Sequence, residues 1–121
     1  MTSIPECFSE SYADARPKFC AAAAQAGGAL RSWLNPKARG PGGEALYLDT
    51  ARFGPADAAN MLVLIAGTHG VEGHCGSGAE IAWLRTGGAG RLPGSRCIAA
   101  LISRCADTGA VMNRNSAISR A

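Results

Sequence analysis

The chain has 121 residues, 47% hydrophobic and 17% charged, the size and balance of one small globular domain. Its net charge of +3 is unevenly placed: residues 1–90 carry seven Lys/Arg and eight Asp/Glu, whereas residues 91–121 carry five Arg against Asp107. That basic stretch has no aromatic residue on which a base could stack, and no apolar run reaches the ~18 residues of a membrane span, so nucleic-acid and membrane partners are both excluded.

In chain order, Phe8, Tyr12, Ala15, Phe19, Ala22 and Ala23 recur at steps of three and four, the spacing of one helical face. Ser3 offers a cap, Pro5 suits a first turn and Gly27-Gly28 ends the run, while Pro17 predicts a kink or two shorter helices. ALRSWLNP and LYLDTARFG flank the turn-rich KARGPGGEA, which reads as a β-hairpin; Trp33 and Tyr47 in it read as packing residues. MLVLIAG is the strongest strand signal, and its unbroken apolar character predicts cover on both faces. SGAEIAWLRTGG reads as a helix with Ser77 and Glu80 as a capping box, and RCIAALIS as another buried strand. Hairpin, strand, helix, strand is an α/β pattern, without internal repeats or a linker that would divide two domains.

Five cysteines make an odd number with no CxxC pair, against a disulfide framework or a zinc knuckle and in keeping with a reducing compartment. The N-terminal MTSIPECFSESYADARPKF has early acidic residues and no apolar core of a signal peptide. A cytoplasmic location is the expectation.

The chemistry gathers in LVLIAGTHGVEGHCGSG, residues 62–78. In α/β sheets, reactive groups collect at the carboxyl ends of strands, where His69 and Glu72 fall if MLVLIAG is a strand. Gly67, Gly70 and Gly73 allow a tight turn there. Imidazole and carboxylate are both good zinc ligands, and a catalytic zinc typically takes two His and one Glu with water in the open position. From spacing alone, three other readings stay open: an HxxE that recurs by chance, an anion-binding helix N-terminus, and a cysteine nucleophile at Cys75 with His74 as its base.

FSESYADARPKF, the Arg39-Gly40-Pro41 turn followed by Gly43-Glu44, and above all LIAGTHGVEGHCGSG resemble a bacterial branch of the zinc carboxypeptidase-like metallopeptidases, one long classed as a domain of unknown function. The resemblance runs over about residues 6–93. It implies an α/β fold, here part of a three-layer α/β/α sandwich around a mixed sheet, with residues 1–121 forming the N-terminal part of a single domain. It further implies one Zn2+ ion held by His69 and Glu72. The reaction implied is hydrolysis of a C-terminal peptide bond or related amide. MNRN at 112–115 is similar to the family's Asn-Arg segment, which would make Asn113 and Arg114 the pair holding the terminal carboxylate of a peptide or small carboxylate substrate.

The departures are equally specific. Between CIAALIS and MNRN the family carries an asparagine-proline-tyrosine-glycine turn and a longer connection, where this chain reads RCADTGAV. No residue matches the family's third zinc ligand or its glutamate general base. Residues 94–121 therefore read as a divergent tail, as a frameshift or truncation would leave, and the chain is expected to be inactive by itself. The competing expectation is a non-enzymatic α/β fragment or partner-binding module, with self-association through exposed sheet edges.

Overall fold

The computed structural model describes residues 3–68, 70–92 and 97–103, the last stretch by its backbone. After a 3₁₀ turn at Pro5–Cys7 come helix α1 (Tyr12–Gln25), strands β1 (Ala29–Arg39), β2 (Ala45–Phe53) and β3 (Asn60–Ala66), helix α2 (Gly73–Arg85), a 3₁₀ turn at Ala89–Arg91 and strand β4 (Cys97–Ser103). The strands form one mixed sheet in the order β1-β2-β4-β3. β1 and β2 are the expected hairpin, β2 pairs antiparallel with β4, and β4 runs parallel to β3, as a β3–α2–β4 crossover requires.

α1 starts where Ser11 Oγ accepts the Asp14 N–H at 3.2 Å, not at Ser3. The break expected at Pro17 falls earlier, between the Pro5–Cys7 turn and Tyr12, and Pro17 sits inside one continuous helix. Both helices end alike. Gly27 and Gly87 adopt φ of +79° and +80°. Gly28 N–H then reaches back to Ala23 O at 2.8 Å, and Gly88 N–H to Trp83 O at 2.7 Å, which satisfies carbonyls the last turn would leave open.

The helices share one face of the sheet. Phe19, Ala22 and Ala23 of α1 meet Ile81 and Leu84 of α2 over Ala51 and Phe53 of β2, with Cys7 closing the cluster. Glycines permit the closest approaches: a Cβ on Gly28 would lie 2.6 Å from the Phe53 ring, and one on Gly76 would lie 3.1 Å from Ala66 Cβ. Polar ties fix α1 to the hairpin. Tyr12 Oη accepts the Tyr47 N–H at 2.7 Å. The Arg16 guanidinium grips Asp49 with Nε at 2.7 Å and Nη2 at 3.0 Å, reaches Ser32 Oγ at 3.2 Å, and lies 4.0 Å over the Tyr47 ring. That makes Tyr47 a platform for a cation as well as a packing residue. Trp33, expected to pack, is 54% exposed.

Two expectations are corrected here. β3 is not covered on both faces: Met61, Val63 and Ile65 are 61%, 45% and 57% exposed, because the helices described lie on the opposite side. Ser77 is not a cap. α2 has already begun at Gly73 with Glu72 in the cap position, which places Ser77 and Glu80 within the helix, both buried at 5% exposure.

Candidate functional site

β3 ends at Ala66 and the chain bends at once through Gly67, whose φ of +74° is a conformation other residues rarely adopt. Thr68 and the glycine turn then lead into α2, whose first turn is tied by Gly73 N–H to Gly70 O at 2.9 Å and His74 N–H to Val71 O at 3.1 Å. Gly76 lies on Ala66, so the helix N-terminus is held directly over the strand's carboxyl end. The turn between the two elements therefore has little room to wander.

Glu72 stands in that turn, exposed, with helical backbone angles and no side-chain bond to the amides of α2. Its carboxylate folds back instead, with Oε1 accepting the Gly70 N–H at 3.0 Å. A side chain at position 70 would crowd this arrangement, since a Cβ there would lie 3.0 Å from Glu72 Oε2. A carboxylate is thus presented at the rim of the sheet, as the spacing predicted. His69 lies outside the described residues, as do Asn113 and Arg114. Among the described residues, no three His, Cys, Asp or Glu side chains cluster to hold a metal ion.

The geometry weakens the rival readings. His74 and Cys75 are successive residues in the first turn of α2, and neighbours i and i+1 on a helix do not face each other. An imidazole–thiol pair is therefore not formed there. The N-terminus of α2 carries Glu72 in its cap position, which repels an anion.

The sequence did not single out Asp49. It pairs with Ser103, which is level with Ala66, so the Arg16–Asp49–Ser32 network occupies the same rim of the sheet as Glu72. Two strand spacings, about 10 Å, separate Asp49 from the end of β3. Arg16 is held more firmly protonated by its bond to Asp49. A signal was present: in LYLDTARF, Asp49 shares its parity with Ala51 and Phe53, so a charge stands on a core-facing position. α2 carries a second buried carboxyl, Glu80. Burial pushes its pKa to about 8, and neither oxygen has a hydrogen-bond partner among the described residues.

Comparison with known proteins places these features. The profile described as "Protein of unknown function (DUF2817)" matches residues 8–100. No curated protein matches. Among solved structures, glutaminyl cyclase from Fimbriiglobus ruber is similar at a TM-score of 0.51 and 8% identity, over 79% of this chain and 38% of that one. Glutaminyl cyclase from Porphyromonas gingivalis follows at 0.48 and 16% identity, over 85% and 46%. The likeness to the first establishes a shared mixed α/β fold, and the chain spans less than half the length of either neighbour. No helix among the described residues is long and apolar enough to cross a membrane.

Proposed function

The chain belongs to the DUF2817 family, and from that premise we propose that it is the metal-holding part of a zinc carboxypeptidase-like hydrolase. In this reading His69 and Glu72 are two protein ligands of one zinc ion. Asn113 and Arg114 hold the terminal carboxylate of a peptide or related small substrate. The observation that carries the proposal is the placement of Glu72, a carboxylate steered by a backbone N–H in a glycine turn at the carboxyl end of a strand.

The donor chemistry fits zinc for half a site. Glu72 supplies an anionic oxygen and His69 an imidazole nitrogen, where a catalytic site uses three protein ligands. When bound, the ion supplies a more acidic water and polarises the scissile carbonyl. This chain's own residues contribute positioning. The Gly70 N–H orients the Glu72 carboxylate, and the Arg114 guanidinium would fork onto a carboxylate through two charge-assisted bonds. His74, part-buried in the first turn of α2 and two residues from Glu72, does not serve as the third ligand. No residue of the 121 is assigned as general base, a role worth about 10²–10⁴ in rate.

Zinc titration by equilibrium dialysis tests this. The wild-type chain should bind about one equivalent, with His69→Ala and Glu72→Gln each weakening it at least ~10-fold and His74→Ala leaving it unchanged. Zinc uptake indifferent to both ligand substitutions would end the proposal. Hydrolysis of C-terminal peptide bonds by the 121 residues alone should stay at background.

A further inference from the structure

Residue 70 is glycine for a reason other than backbone freedom. The positive φ in its turn belongs to Gly67, and Gly70 lies outside that region. Its backbone conformation is therefore open to any residue, and what a side chain would meet is the Glu72 carboxylate. A Cβ on Gly70 would lie 3.0 Å from Glu72 Oε2, against 4.0 Å from Oε1. The residue is also tied at both ends. Its N–H donates to Glu72 Oε1 at 3.0 Å, and its carbonyl accepts the Gly73 N–H at 2.9 Å.

The two oxygens of Glu72 are thus set apart. An amide N–H and a divalent cation both present positive charge, so they settle most favourably on different oxygens of one carboxylate. The amide already holds Oε1. That amide belongs to the peptide joining residues 69 and 70, so the donor that steers the carboxylate follows His69 directly in the chain. Donors that touch a metal ligand orient it, and losing one typically costs about 10–100-fold in metal affinity.

We propose, resting on the zinc reading of His69 and Glu72, that Gly70 is a positioning residue of that site: its N–H keeps Glu72 Oε1 when the ion is bound, and Glu72 ligates through Oε2 alone. The bare α-carbon of residue 70 gives Oε2 the space to do so. A one-oxygen carboxylate takes one coordination position where a chelating carboxylate takes two, which keeps more of the ion open to water and substrate. The hairpin turn holds a matched case. Glu44 Oε2 accepts the Gly42 N–H at 2.8 Å, and a Cβ on Gly42 would lie 3.0 Å from that oxygen. The same local clamp forms at both turns, and at one of them alone an imidazole precedes the donor.

Equilibrium dialysis of the 121-residue chain against zinc separates the two turns. Gly70→Ala keeps the N–H but crowds Oε2. It should weaken zinc binding about 10-fold and leave the urea midpoint of the zinc-free chain in place. Gly42→Ala should leave zinc binding unchanged. Two spectra of the wild-type chain decide the point without relying on that variant. The Gly70 amide proton should keep its downfield, hydrogen-bonded resonance as zinc is added, and lose it in Glu72→Gln. The infrared difference between zinc-loaded and zinc-free chains should show the wide carboxylate splitting of one-oxygen ligation. Zinc uptake indifferent to Glu72→Gln would remove the zinc reading and the role of Gly70 with it. Uptake that needs Glu72 but ignores Gly70→Ala, a Gly70 amide released on zinc binding, or the narrow splitting of a chelating carboxylate would each overturn the role of Gly70 alone.

Discussion

The two halves of the helical layer each bury a carboxyl group, and they do so in opposite ways. On the α1 side, Asp49 is 1% exposed, and a two-pronged guanidinium and the Ser32 hydroxyl surround it. On the α2 side, Glu80 is 5% exposed with no partner among the described residues, and it copes by holding its proton. Pairing keeps a charge inside a fold, and its absence makes the same group neutral. The second half is therefore sensitive to mild alkali.

The largest expected effect tests the unpaired half. Glu80 has its pKa raised from 4.5 to about 8 on folding, so the native chain holds a proton that the unfolded chain releases. The resulting stability is fully present below the unfolded pKa and drains away as pH rises through the folded one. The slope approaches ~1.4 kcal/mol per pH unit, and the total is bounded at roughly 5 kcal/mol. Urea unfolding at a series of pH values between 5 and 8 should show this decline, and Glu80→Gln should flatten it and be the more stable chain at pH 8. A wild-type profile without slope would mean that Glu80 has found a partner after all.

Breaking the paired half comes next. Asp49→Ala should cost about 3 kcal/mol, at the low end for a severed buried pair because the Arg16 side chain, 30% exposed, can turn to water. The smallest pair of effects compares the helix starts. Ser11→Ala removes the bond to the Asp14 N–H and should cost about 1 kcal/mol. Glu72→Ala removes the exposed bond from the Gly70 N–H and none to the amides of α2, and should cost less than Ser11→Ala in the same unfolding series.

Much of the fold was legible residue by residue. The turn between Arg39 and Ala45, the apolar NMLVLIA and CIAALIS, and the three-and-four spacing through Phe19 all lie where local pattern puts them. What local pattern misjudged were places where packing overrides propensity. GHCGSG looks like loop because glycine disfavours helices, yet it is helix. Gly76 must meet Ala66, and Gly78 must make room for the Phe8 ring. The Ser77–Glu80 spacing imitates a capping box inside a helix whose cap, Glu72, lies five residues earlier. β3 was read as doubly covered from composition, and composition reports what a strand would bury, not which neighbours are at hand. Of the candidate site, the position of Glu72 was legible from the glycines after a strand. The partner of Asp49 was not, because Arg16 comes from a helix 33 residues earlier in the chain.

The phenol of Tyr12 has one more effect. By taking the peptide groups of Tyr47 it occupies backbone that β2 would otherwise offer to a neighbouring strand beyond Asp49. It acts as a doorstop. A strand ladder on that side cannot form at Tyr47 without evicting the ring, and a Tyr12→Phe chain would return those peptide groups to the strand.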